Sequence, residues 1–211
     1  RERVLVTISF VVILVAVLVG VILYPNMPDQ MATHWNTEGQ PDDHMEKVWG
    51  VFLIPIVMGF LLVLFLVLPA IDPLKKNIKK FRVHYFRFMV VLMFFLLYLY
   101  IIMMLWNLGS YFNMKYAVIP AIAALFYYIG TLLEHSKRNW FIGIRNPWTL
   151  SSDNIWKKTH KRAAFLFRLS GIIALLGILS DNYAMAFVLV PVLASVFYLF
   201  IYSYRQFRNQ S

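Results

Sequence analysis

Six stretches of apolar sequence, each long enough to cross a bilayer as a helix, constrain this chain more than any other feature. The first, Val4 to Tyr24, holds 21 residues and no charge. At about 1.5 Å of rise per residue, a run of that length matches the roughly 30 Å hydrocarbon core. The others are Val48 to Ile71, Phe88 to Trp106, Tyr116 to Leu133, Ala163 to Leu179 and Tyr183 to Tyr204. In lipid a backbone must satisfy its own hydrogen bonds, so runs of this kind are helices. The expected fold class is therefore all-α: a polytopic membrane protein with six transmembrane helices. A soluble domain of 211 residues has no use for a composition that is 61% hydrophobic and only 14% charged. No small-residue cleavage site follows the first run, which is expected to remain as a span.

The charges sit almost entirely between the runs, and their distribution predicts orientation. Lys and Arg number two before the first run, one in residues 25–47, five in 72–84, one in 107–115, seven in 134–162, none in 180–182 and two in the tail. Rich and poor connectors alternate without exception, so both termini are expected inside and residues 25–47 outside. That outer loop is acidic, with Asp29, Glu38, Asp42, Asp43 and Glu46 against Lys47 alone. The formal charge of +10 is thereby explained by topology, and no direct nucleic-acid binding is expected. Pro55 and Pro69 predict a kink and a break in the second run, and Pro191 a kink in the sixth. Pro120 is expected in the first turn of the fourth, where a missing N–H costs least.

With no cysteine, thiol nucleophiles, zinc–thiolate sites and iron–sulfur clusters are excluded, and no cofactor is expected. Arg87, Asp72, Glu134, His135 and Arg168 all fall within about two turns of a basic boundary, so a relay of ionisable groups at bilayer depth is not expected. His34, Asp42, His44 and Glu46 offer nitrogen and oxygen donors of a kind zinc accepts, but without the spacing of a zinc motif. The reading preferred here is that Asn36 to Gly39 forms a turn, Pro41 stiffens the loop, and His34 and Trp35 pack it onto the outer helix ends.

The most distinctive segment is Asn139 to Arg162, NWFIGIRNPWTLSSDNIWKKTHKR, which carries Trp140, Trp148 and Trp156 among its cations. Gly143 supplies backbone freedom, Pro147 biases Asn146 toward an extended conformation, and Ser151 or Ser152 can cap a following helix. From Asp153 on, the spacing places Trp156, Thr159, His160 and Ala163 on one helical face and Lys157, Lys158 and Lys161 on others. The expectation is a buckle followed by a short amphipathic helix. One explanation of the Trp and Lys residues is an interfacial connector at headgroup depth. Arg145, with the fork geometry that Lys lacks, either locks the buckle by binding Glu134 or helix-end carbonyls, or joins Trp148 and Trp156 in a docking surface.

The run Phe141 to Lys161 resembles the signature of the SdpI family of small multi-pass membrane proteins, IGxRxPWTL followed by a spaced Trp. Met27 to Asp42, MPDQMATHWNTEGQPD, is similar to the extracytoplasmic piece of a domain of unknown function that precedes the signature in that family. The resemblance implies a two-helix unit, residues 1–71, carrying the outer loop 25–47, and a four-helix unit, residues 72–211, carrying the inner signature loop 134–162. It implies a prokaryotic cell-membrane protein that protects its cell from a secreted peptide toxin and is not an enzyme. It further implies a layout like that of a receptor holding an ArsR-type repressor at the membrane. Carried over by position, the implied site is Asn139, Ile142, Gly143, Arg145, Pro147, Trp148, Thr149, Leu150 and Trp156, with Asn146 standing where the family's pattern has Thr. In the outer loop the implied residues are His34, Trp35, Gly39, Pro41 and Asp42. The competing classes are a small-solute transporter and a membrane enzyme acting on lipid at the inner face.

Overall fold

The computed structural model describes residues 1–180 and 183–209. The chain runs α1 (Glu2–Leu23), β1 (Gln30–Trp35), β2 (Pro41–Glu46), α2 (Lys47–Ile71), α3 (Lys75–Asn107), α4 (Met114–His135), α5 (Pro147–Ser151), α6 (Asp153–Leu176) and α7 (Ala184–Arg208). Among the described residues, six of these helices are long and apolar enough to cross a membrane, one for each apolar run. The link expected at Ser180, Asp181 and Asn182 lies partly outside the described residues. The bundle has two ends: one carries the β1–β2 hairpin, the other the signature loop.

Two features of the packing follow directly from side-chain size. On α1 the buried positions are Ser9, Val12, Ala16 and Gly20, a stripe of small residues at helical spacing that lets α1 lie close to its neighbours. On α3 the buried face is large and soft, with Tyr85, Met89, Met93, Tyr100 and Met104 inside, and α1, α2 and α3 share one apolar core. The second group, α4, α6 and α7, is built on close approach. A Cβ placed on Gly130 would sit 2.6 Å from the Ala164 carbonyl oxygen, and one on Gly171 would sit 2.6 Å from that of Ala123. Phe10, Ile22, Phe60, Leu193 and Phe197 point outward, a lipid-facing surface rather than an exposed core.

The boundaries differ from the apolar runs in instructive ways. The basic segment after residue 72 is not a loop but the first turns of α3, which bends where Phe81 leaves helical geometry (φ −124°). α2 continues through Pro55 and Pro69, and α7 through Pro191. α2 then ends at Ile71, two residues past Pro69, where the break was expected. α4 begins at Met114, which moves Pro120 beyond the first turn. The outer loop adds the strands to an otherwise helical molecule: β1 and β2 pair antiparallel, with irregular register between Ala32 and Trp35.

Candidate functional site

At the signature end, the loop is organised by one buried asparagine. Asn139, wholly inaccessible, accepts from the backbone N–H of Phe141 (2.9 Å) and Ile142 (2.7 Å) and donates to the carbonyls of Lys137 and Ile142. All four of its bonding sites go to its own loop, which folds the chain over itself before Gly143. Gly143 sits at φ +112°, and a Cβ there would lie 2.3 Å from His160 Nε2. No other residue fits that position.

His160, on α6, then receives the chain. Its Nε2 accepts the N–H of Ile144 at 3.0 Å, while Nδ1 lies 2.8 Å from the Trp156 carbonyl oxygen one turn earlier. This pattern requires a neutral ring with its proton on Nδ1. The imidazole also stacks on Trp156, centroids 3.9 Å apart. Trp156, only 2% exposed, donates its indole N–H to the Ser136 carbonyl. The face expected from spacing, Trp156, Thr159, His160 and Ala163, is buried along its length.

The next turn is a capping box. Asn146 Oδ1 accepts the Thr149 N–H at 2.9 Å, and Thr149 Oγ1 accepts the Asn146 N–H at 3.0 Å while bonding to the Ile144 carbonyl. Pro147 at the first helical position fits because no N–H is needed there. Asn146 Nδ2 also donates to Ser203 Oγ on α7, a bond a hydroxyl residue would make differently. Trp148 packs against Phe200 and Tyr204 of α7, with centroids 4.9 and 5.0 Å away. The Leu150 carbonyl accepts from Arg138, which also pairs with Asp153. Ser152 rather than Ser151 caps α6.

Arg145 departs from the expected pairing. Its guanidinium donates to the Trp140 carbonyl at 2.6 Å, within the loop, while Glu134 is held by Arg168 across the α4–α6 contact. Arg145 itself is exposed beside Pro147 and Trp140. The element that sequence reasoning passed over is Asp72. It is 2% exposed, and its two carboxylate oxygens take the N–H groups of Leu74 (2.6 Å) and Trp140 (2.9 Å), pinning the loop to the start of α3. Asn77 adds a bond to the Arg138 carbonyl. A lone acid heading a run of cations was the available signal.

At the opposite end, Asn36 to Gln40 closes the hairpin, with Gly39 at φ +79° lying against Asn113. Asn113 caps α4 and donates to the Glu38 carbonyl. Asn107, at the end of α3, bonds both the N–H and the carbonyl of Ala32, standing in for a third strand. Trp35 packs edge-on against Trp106, as expected, and faces Pro41 across the ladder. His34 does not pack inward with it: the side chain is exposed and meets Asp42 at 2.6 Å. His44 lies opposite Ala32 rather than beside His34, and no group of three metal-type donors forms among the described residues. Between the hairpin and the first turns of α4 and α7 runs a groove of about 210 Å³, lined by Trp35, Met114, Val118, Ile119, Met185 and Val188 among others.

Comparison with known proteins places both ends in one framework. Residues 11–59 match a domain of unknown function, DUF1648, and residues 136–203 match the SdpI/YfhL protein family. The chain is 24% identical over 203 residues to the immunity protein SdpI of Bacillus subtilis (strain 168), covering 96% of this chain and 95% of that one. No solved structure matches. With six helices long and apolar enough to span among the described residues, both matched segments in this order and similarity along the full length of a relative, the chain is a multi-pass bacterial plasma-membrane protein similar to the SdpI family.

Proposed function

We propose that this protein is an immunity factor that protects its cell from a secreted antimicrobial peptide toxin. The observation that carries the reading is the end-to-end similarity to an immunity protein, which extends through both the hairpin segment and the signature segment. The alternation of Lys and Arg between connectors supports an orientation with both termini and the signature loop inside and the hairpin outside. In that orientation the two-helix unit of residues 1–71 presents the hairpin to toxin, and residues 72–211 present the signature loop to the cytoplasm.

The hairpin end offers the right chemistry for a cationic amphipathic peptide. Its groove is apolar, and Glu38, Asp42 and Asp43 stand exposed along the adjoining hairpin. Apolar side chains would bury in the groove while cations met the carboxylates. Inside, Trp156 is buried and Trp148 packs on α7, so the docking surface expected of Arg145 with those two is not formed; exposed Arg145 with Pro147 and Trp140 is the surface on which a cytoplasmic partner such as an ArsR-type repressor would dock. Transport is the weaker reading because Glu134, Arg168, His84 and His135 pair with one another toward the signature end, away from the bilayer centre where coupled transporters place such groups.

Expression in a host killed by a secreted membrane-active peptide tests the reading. Growth in the presence of toxin is expected, and should be lost when Glu38, Asp42 and Asp43 are replaced together by their amides. Death of cells that hold the protein in their membrane at normal levels would overturn it.

A further inference from the structure

The signature end holds a cavity of about 490 Å³ whose rim is strongly basic and whose floor is rigid. Three separate pieces of chain bring cations to it: Lys80 from the first turns of α3, Lys137 and Arg138 from the segment after α4, and Lys157 and Lys161 from α6. Two carboxylates also line it, but both are taken. Asp153 is held by Arg138 at 2.8 Å and Glu134 by Arg168. Among the described residues, no carboxylate lies within ion-pair distance of Lys80, Lys137 or Lys157, and Lys161 shares Glu134's field with Arg168.

The floor is made of groups already fixed in place. Trp156, His160 and Ser136 are buried and bonded to one another. Asn77 and Asp72 tie the wall formed by α3 to the segment after α4. Like charges gathered over a low-dielectric floor repel each other and focus a positive potential into the concavity. Glu134 beside Lys161 and Asp153 beside Arg138 offset that repulsion only in part. An anion with several acceptor oxygens would offset it, with no reorganisation of the walls.

We propose that this cavity is a binding site for a phosphate-bearing anion, held by Lys80, Lys137, Lys157 and Lys161 and seated on Trp156 and His160. Its position at the edge of the bundle suits two sources of the same chemistry, the headgroup of an anionic lipid and a soluble phosphate compound. The site is independent of toxin protection.

The test uses the full chain in nanodiscs of phosphatidylcholine, titrated calorimetrically with pyrophosphate, and compares Lys80→Gln/Lys137→Gln/Lys157→Gln with Lys75→Gln/Lys76→Gln/Lys79→Gln. The second variant removes equal charge at the same end but outside the cavity. Pyrophosphate should bind the wild type with an affinity that falls as salt rises. It should bind the cavity variant about tenfold or more weakly, and the control variant within about threefold of wild type, as screened surface charges would allow. Replacing the same three cavity lysines by Arg should preserve binding, which guards against a fold defect in the Gln variant. In discs containing phosphatidylglycerol, a wild-type affinity that drops by more than that of the Gln cavity variant marks the lipid headgroup as occupant, and an equal drop, as surface repulsion alone gives, marks a soluble ligand. Equal loss in both Gln variants, or no pyrophosphate binding by the wild type in phosphatidylcholine, would overturn the site.

Discussion

The two ends of the molecule hold their chain in opposite ways. The hairpin is seated on the helices by packing, with Met31 buried against Gly50 of α2, and by few polar bonds, chiefly Asn107 to Ala32 and Asn113 to Glu38, with Trp35 against Trp106. The signature loop is bound to itself and to α3, α6 and α7 by a continuous set of buried bonds running from Asp72 through Asn139, His160 and Asn146 to Ser203. A segment with few polar ties can open locally at its tip, whereas one held by a dense set of hydrogen bonds has a single arrangement. The hairpin is thus suited to accommodating a ligand, and the signature loop to presenting a fixed surface.

The comparison breaks most readily at Gly143. Gly143→Ala forces a Cβ against His160 in a left-handed backbone, and should cost about 3 kcal/mol or more, read as lost thermal stability in detergent. A mild effect would mean the loop is far looser than its bonding implies. Next is Asp72→Asn, which turns an amide N–H toward a backbone N–H it must face and removes a charge-assisted acceptor; about 2 kcal/mol is expected. His160→Phe keeps an aromatic partner for Trp156 yet leaves the Ile144 N–H without an acceptor, for about 1 to 3 kcal/mol.

At the hairpin, Asn107→Ala should leave the buried N–H and carbonyl of Ala32 without partners, for about 1 to 3 kcal/mol, felt locally rather than in the global transition. It should instead speed hydrogen exchange at Ala32 and weaken toxin protection. A global loss as large as that at Asp72 would erase the distinction between the ends. The smallest effect on stability is expected from Arg145→Lys, under about 1 kcal/mol, because the side chain is exposed and gives up one bond. Lost activity in that variant at unchanged stability would mark Arg145 as a docking residue, while a large stability loss would make it part of the lock.

Much of the site was legible in the sequence, but by resemblance and local pattern rather than by contact. The buried face of α6 followed from spacing, and the use of Gly143, Pro147 and Ser152 followed from backbone chemistry. Asn146 retained a hydrogen-bonding role where a hydroxyl residue was expected. The partners were not legible. Arg145 reaches Trp140 rather than Glu134 because α4 and α6 lie close enough, at Gly130 and Gly171, for Arg168 to take that carboxylate first. His34 turned outward because Asp42 on the paired strand lies within reach, and the strand pairing itself was not read from the loop.

What the sequence determined alone was the number of spans, because the bilayer accepts only long apolar helices regardless of how those helices pack. Only the tertiary structure decided that the basic segment after Asp72 is helical, that Asp72 fastens the signature loop, and that lysines from α3, α6 and the segment after α4 face one cavity. Those facts depend on residues far apart in sequence meeting in space, and no local period or propensity records such a meeting.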